Sequence, residues 1–294
     1  MQVMSGKEVS QAVYADLHAR AGSFVHSHGY APTLAVVLVG SDPASQSYVR
    51  SKKKACLSLG FGHQDYLLPE DASQEELLGL VRRLNADNSV HGILVQLPLP
   101  SHMDTGEVIE TIDQHKDVDG FHPSSVGKLL IGLPTFVSCT PLGVMEMIDH
   151  YKIETAGKHV VIVGRSNIVG KPLAALLMQK GRDATVTVCH SRTKDLASIA
   201  LQADILIAAI GSPRFIRSSM VKEGAVVIDV GINRVEDSSA KRGYRLVGDV
   251  DYDTVSPHCS FITPVPGGVG VMTIAMLMKN TLQAAVSLAD KDTK

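Results

Sequence analysis

Helix-like and strand-like hydrophobic patterns alternate along this chain from one end to the other. The first half predicts a helix over 5–28, a buried strand in "TLAVVLVG" at 33–40, a helix over 43–59, a strand over 63–68, a helix over 73–87 and a strand in "VHGILVQLPLP" at 90–100. Ser5 with Glu8, and Ser73 with Glu76, stand in capping-box spacing at two of the helix starts. Another helix is expected to open with Thr140 as N-cap and Pro141 at its first position, and to run to about Tyr151. A second set of strands starts at Lys158 and continues at 184–189, 203–210 and 225–231. Beyond them lie a polar segment from Asp237 to Gly243, the turn "TPVPGGVG" at 263–270 and an apolar helix to about Leu288, with "ADKDTK" expected to fray.

Within this alternation, "VVIVGRSNIVGKP" at 160–172 joins a β-branched strand to a glycine turn and then to a helix. Val160 to Val163 suit a parallel strand covered on both faces, and Gly164 lets the chain turn at its end. From Gly170 the pattern is helical, with Leu173, Leu176 and Leu177 on one face, so free N–H groups at the helix start point at an anion over the turn. Ser166 and Val169 occupy places where the usual dinucleotide fingerprint has glycine. The next strand, 184–189, ends in His190, Ser191, Arg192, Thr193 and Lys194, with no carboxylate to accept the ribose 2′-hydroxyl of NAD. With Arg165 in the first turn, the site suits the 2′-phosphate of NADP; the alternative for Arg192 and Lys194 is a solvated loop.

The fold class that follows is α/β: two α/β domains flanking a cleft, the second a Rossmann-type NAD(P)-binding domain. The expected boundaries are 1–142 for the first domain, joined by a C-terminal helix at 270–290 that returns to it, and 143–269 for the second. At 294 residues the chain is long enough for two cores. A net charge of −2 argues against a nucleic-acid partner, and no apolar run is expected to reach bilayer-spanning length. Cys56, Cys139, Cys189 and Cys259 are far apart with no C-x-x-C pair, which suggests reduced thiols in a cytoplasmic protein and no metal site.

Candidate chemistry lies in the first half. Tyr48 and Lys52 are i and i+4 on one helix and share a face. A lysine amine shuttles protons when burial and positive neighbours such as Lys53 and Lys54 lower its pKa, although composition alone favours a solvated basic face. Gln96 is a polar residue at the end of an apolar strand, where side chains commonly face a ligand crevice. "KDVDGFHP" places Asp117 and Asp119 in a glycine-containing loop, where either could instead serve as a turn former.

The motifs "SDPAS..Y...K", "GILVQLPLP", "KDVDGF", "CTP.G", "VVIVGRSNIVGKP", "CHSRT", "VIDVGIN", "GDVD" and "ITPVPGGVG", in this order, resemble the bifunctional methylenetetrahydrofolate dehydrogenase/cyclohydrolase family from about Ser41 to Met278. The resemblance implies NADP-dependent oxidation of 5,10-methylenetetrahydrofolate to the methenyl form, then hydrolysis to 10-formyltetrahydrofolate, in a homodimer with a folate substrate and no membrane partner. It implies that Lys52 is the catalytic lysine, that Tyr48 stacks on or bonds near the folate, that Gln96 positions the lysine and that Asp119 holds the pterin. Gly164, Arg165, Ser166, Ser191 and Ile232 match the family's NADP contacts, and Pro266, Gly267 and Gly270 its substrate-binding turn, though a plain structural turn would carry the same glycines. The chain departs from the family at Val271, where a proline usually precedes Met-Thr. An NAD-preferring dehydrogenase with weak hydrolase activity, or a silent nucleotide-binding homologue, remains an alternative.

Overall fold

The computed structural model describes residues 1–240 and 243–292. It divides into two compact units, one made of Met1–Gln11 with Ser138–Thr273, the other of Ala12–Val137 with the chain from Ile274 onward. The expected first domain therefore loses its N-terminus to the nucleotide unit. The reason is a short strand with no sequence signal, β1 (Gln2–Val3), which pairs in parallel with a strand near the end of the chain, Gln2 opposite Phe261.

Helix α1 (Gly6–His28) follows, and its Val13, Leu17, Ala21 and Phe24 are buried at helical spacing. Ser5 Oγ accepts from Glu8 N at 3.3 Å, but the reciprocal bond expected of a capping box is replaced, because Ser5 N donates to the Tyr151 hydroxyl at 2.8 Å. The unit that begins at Ala12 is built on β2 (Thr33–Val39), α2 (Pro43–Ser58), β3 (Gly62–Leu68), α3 (Gln74–Ala86) and β4 (Gly92–Val95). Its three strands are parallel in the order β3-β2-β4. β2 is buried on both faces, which is why "LAVVLV" shows no alternation. α3 begins with the full capping box of Ser73 and Glu76, and Leu77, Val81 and Leu84 pack beneath Val37 and Ile93. The strand expected over 90–100 is only four residues long, since Pro98 and Pro100 offer no N–H for a ladder. Two short helices without strong periodicity, α4 (Thr105–Thr111) and α5 (Pro123–Leu130), complete this part.

The nucleotide unit starts with α6 (Cys139–His150), whose N-cap is Ser138 rather than Thr140. Ser138 Oγ donates to the Ile168 carbonyl at 2.7 Å instead of capping, and Thr140 Oγ1 lies 3.2 Å from Thr273 Oγ1, so the hydroxyls serve tertiary contacts. Next come β5 (His159–Val163), α7 (Gly170–Leu177), β6 (Thr185–Cys189), α8 (Leu196–Ala200), β7 (Ile205–Ala208) and β8 (Ala225–Asp229). A hairpin, β9 (Asn233–Glu236) with β10 (Tyr244–Val247), flanks the polar segment at 237–243, of which Lys241 and Arg242 lie outside the described residues. Helix α9 (Tyr252–Val255) leads to β11 (Cys259–Ile262). The strands form one parallel sheet in the order β1-β11-β8-β7-β5-β6. The order reverses beside β5, and the carboxyl ends at such a switch point are where ligands bind in doubly wound sheets.

Helix α10 (Met272–Asp292) closes the chain and extends past the expected end at Leu288, so the first four residues of "ADKDTK" are helical while Thr293 and Lys294 lie outside the described residues. By length and composition it is apolar enough to cross a bilayer, which corrects the expectation that no stretch would be, but 61% of that window is buried inside the protein. Its apolarity has a core to explain it. Within the unit that begins at Ala12, Met278 Sδ lies 3.6 Å from Cys56 Sγ, and Asn280 Nδ2 donates to the Val118 and Val137 carbonyls at 2.8 and 3.0 Å. Each large apolar side chain buried in this way contributes roughly 2 kcal/mol before ordering entropy is subtracted.

Candidate active site

Lys52 stands on α2 with only 9% of its surface exposed, and its Nζ donates to Gln96 Oε1 at 2.7 Å. Gln96 follows β4 directly; its backbone N–H donates to the Val37 carbonyl at 2.8 Å and its Nε2 to the Leu97 carbonyl at 2.7 Å. The side-chain amide is thus held with its oxygen toward the amine. An amide oxygen can only accept, and an amine donates whether neutral or charged, so Gln96 fixes Nζ in space without locking it as an ammonium. The positive neighbours expected around Lys52 are not both available, because Lys53 Nζ forms an ion pair with Asp65 at 2.8 Å on β3. Tyr48, one turn ahead of Lys52, is 52% exposed. Its phenol is open to a ligand rather than packed in the core.

Asp117 and Asp119 have different places. Asp117 is 2% exposed and bridges Ile93 in parallel with β4, while its carboxylate accepts from Phe121 N at 3.3 Å, His122 N at 2.8 Å and Ser125 Oγ at 3.2 Å. Burial pushes its carboxyl above the ordinary range, and those donors pull the other way. It orders the loop. Asp119, half-buried, lies in the turn that follows Asp117, which Gly120 N closes by donating to the Asp117 carbonyl at 3.2 Å.

In the nucleotide unit, Gly164 has φ +136°, and a Cβ there would lie 2.2 Å from the Ala209 carbonyl oxygen. A Cβ on Gly170 would lie 2.1 Å from the Gly164 carbonyl oxygen, so α7 begins flush against the turn. The Ser166–Val169 turn is tied to the start of α7, since Val169 N donates to Ser166 Oγ and Lys171 N to the Ser166 carbonyl, each at 3.1 Å, and Pro172 has no N–H to offer. Gly164, Arg165, Ser166 and Ser191 line one cavity of about 410 Å³. His190 and Thr193 shape the "CHSRT" turn, since His190 N donates to Thr193 Oγ1 at 2.9 Å and Arg192 N to His190 Nδ1 at 3.1 Å. Arg192 and Lys194 do not line the cavity, so its guanidinium is that of Arg165. A dinucleotide fits this surface, which offers a glycine where backbone must approach, the hydroxyls of Ser166 and Ser191, and the guanidinium of Arg165.

Ile232 lines a second cavity of about 180 Å³ together with Pro266, Gly267 and Gly270. The structure thus gathers the residues expected at the substrate turn around a residue expected to touch the cofactor. Gly270 is in close contact with Ile232, where a Cβ would fall 2.6 Å from Cδ1. Asp229 and Asp249, which the sequence reading passed over, are buried between these loops at 3% and 0% exposure. Their signal was an aspartate within two residues of a glycine in each of "VIDVG" and "GDVD".

Two family models match the chain. The catalytic domain of tetrahydrofolate dehydrogenase/cyclohydrolase matches residues 4–119, and the NAD(P)-binding domain of the same family matches 138–289. The bifunctional protein FolD of Chlorobium phaeobacteroides is 58% identical over 288 residues, covering 97% of this chain and 98% of the relative. A solved bifunctional FolD from Campylobacter jejuni superposes with a TM-score of 0.92 at 50% identity, over 98% of this chain and 99% of that one. The Trypanosoma brucei enzyme, solved with NADP and an inhibitor, gives a TM-score of 0.92 at 41% identity over 97% of each chain.

Proposed function

Because the chain belongs to the tetrahydrofolate dehydrogenase/cyclohydrolase family, we propose that Lys52 and Gln96 carry its proton transfers, that Tyr48 and Asp119 hold the pterin, and that Gly164, Arg165, Ser166, Ser191 and Ile232 bind the dinucleotide. The protein oxidises 5,10-methylenetetrahydrofolate to the methenyl form and hydrolyses that product to 10-formyltetrahydrofolate, with NADP as cofactor. Bound NADP supplies the hydride acceptor.

Oxidation asks little acid–base work of the chain. The carbon that loses hydride lies between two nitrogens whose lone pairs stabilise the resulting cation, so the protein contributes position. Tyr48 offers an exposed ring for the pterin, and Asp119 a carboxylate for its ring N–H and amino donors. Pro266, Gly267 and Gly270 support the substrate beside Ile232. Hydrolysis needs protons moved. Lys52 Nζ takes the proton of the water that adds to the methenyl carbon, then returns one to nitrogen as the C–N bond opens. The Lys52–Gln96 bond is the observation that carries this reading, since it places a mostly buried amine against a group that tolerates either protonation state.

The experiment is a coupled assay with methylenetetrahydrofolate and each nicotinamide cofactor, followed by detection of the formyl product. Wild type should give a higher kcat/KM with NADP than with NAD, and Arg165→Ser should cut that ratio tenfold or more, as the loss of a charge-assisted phosphate contact implies. An unchanged ratio would remove Arg165 from the 2′-phosphate. The homodimer is supported by the unpaired outer edge of β3, where Leu67 is 67% exposed, and is tested by light scattering of Leu67→Asp. A cytoplasmic setting is supported by Cys56, Cys139, Cys189 and Cys259, all free and buried.

A further inference from the structure

Asp249 has no exposed surface, yet four donors converge on its carboxylate. Oδ2 accepts from Ile210 N at 2.6 Å and Gly211 N at 2.9 Å, while Oδ1 accepts from Ser212 N and from Asn233 Nδ2, each at 2.9 Å. Three successive peptide N–H groups turned toward one point form a nest, which a loop keeps only around negative charge. The loop that Asp249 gathers is a wall of the nucleotide cavity, since Ile210, Ser212 and Phe215 line it beside Gly164 and Arg165. Its fourth donor, Asn233, follows Ile232 in the chain, so the same carboxylate anchors the second cavity as well.

Asp229 fixes Asp249 from behind. Its Oδ1 accepts from Asp249 N and Gly231 N, both at 3.0 Å, and its Oδ2 from Val250 N at 2.9 Å. Both motif glycines are there to admit these carboxylates. A Cβ on Gly231 would lie 2.2 Å from Asp249 Cγ, and one on Gly248 would lie 1.8 Å from Asp229 Oδ2. Two buried acids side by side are a poor way to gain stability, because charge without a counter-ion is costly to desolvate. Their value lies in the shape they impose.

We propose that Asp249, held by Asp229, is a positioning residue for the dinucleotide: it sets the 209–215 wall and couples it to the Ile232 loop. The proposal rests on the assignment of the larger cavity to NADP made above. It acts through backbone and touches no reacting atom.

Asp249→Asn keeps the volume but turns one acceptor into a donor facing N–H groups. In the full-length protein without nucleotide, the amides of Ile210, Gly211 and Ser212 should exchange at least tenfold faster, with the β5 and β7 strands unchanged. The NADP KM should rise tenfold or more while kcat falls less than threefold. Gly231→Ala, which keeps both carboxylates but displaces Asp249, should give the same pattern and serves if the asparagine variant does not fold. Unchanged protection of the three amides, or lost protection with NADP affinity within twofold of wild type, would overturn the proposal. A wrong cavity assignment would show separately, as wild-type Gly164–Ser166 and Ser191 gaining no protection from NADP.

Discussion

Lys52 Nζ meets Gln96 Oε1 at 2.7 Å because Gln96 Nε2 is committed to the Leu97 carbonyl, also at 2.7 Å. The amide is oriented by its own backbone neighbour, so the amine always faces an acceptor of zero net charge. On the proposed roles that relationship bears on hydrolysis, the step assigned a proton at Nζ.

Lys52→Met should lower methenyltetrahydrofolate hydrolysis by about 10²–10⁴-fold, the range of a lost general acid–base. NADP dissociation constants, measured by titration, should stay within twofold of wild type. Hydrolysis at the wild-type rate would remove Lys52 from the mechanism.

Gln96→Glu replaces a neutral acceptor with a carboxylate, which favours the ammonium form of the amine. Hydrolysis should fall roughly tenfold or more at neutral pH, as expected of impaired acid–base catalysis, and the rising limb of its pH profile should move to higher pH. Stopped-flow decay of the methenyl chromophore across pH reads both, and an unshifted limb would show that the amine's charge does not limit the step.

Gly170→Ala tests the fit of α7 on its turn. A Cβ 2.1 Å from the Gly164 carbonyl oxygen and 3.0 Å from Arg165 Cα forces the helix start away from the cavity. Overpacking of this kind costs roughly 1–3 kcal/mol, read as a lower urea midpoint. NADP affinity should drop at least tenfold with it, whereas an unchanged affinity would mean that the phosphates do not sit on this helix start.

Burial, with the charge of Asp249 added, pushes the Asp229 carboxyl up from 3.8 to about 7, against the pull of its N–H donors. The folded state therefore binds the proton more tightly than the unfolded state. This group's contribution to stability is greatest below pH 4 and is lost as pH rises toward 7, by up to about 1.4 kcal/mol per pH unit. Asp229→Asn cannot titrate, so the difference in unfolding free energy between wild type and variant should shrink for wild type between pH 5 and about 7. A difference independent of pH would contradict this.

Elements with a long period or a chemical start signal were legible: α3 through Ser73 and Glu76, β5 through its β-branched run, and Gly164 at the turn. A polar residue ending an apolar strand marked Gln96 as facing a crevice, whereas its partnership with Lys52 was implied by the family resemblance and not by the pattern. What escaped lay in long-range contacts. β1 is two residues long and exists because β11 is beside it. Thr140 was a plausible cap that a hydroxyl on another helix claimed instead. Asp229 and Asp249 drew no role from the sequence, because nothing local reveals that three peptide groups of a distant loop converge on one of them.

Each unit is assembled from two separated stretches of the polypeptide, with Gln2 joining Phe261 in one and Asn280 joining Val118 in the other. Neither can be cut out as a continuous piece, and during synthesis the first waits for β11 and the second for α10 to leave the ribosome. A product stopping at Val137 would leave Cys56 without Met278 against it, and should become soluble only when a peptide carrying α10 is supplied in trans.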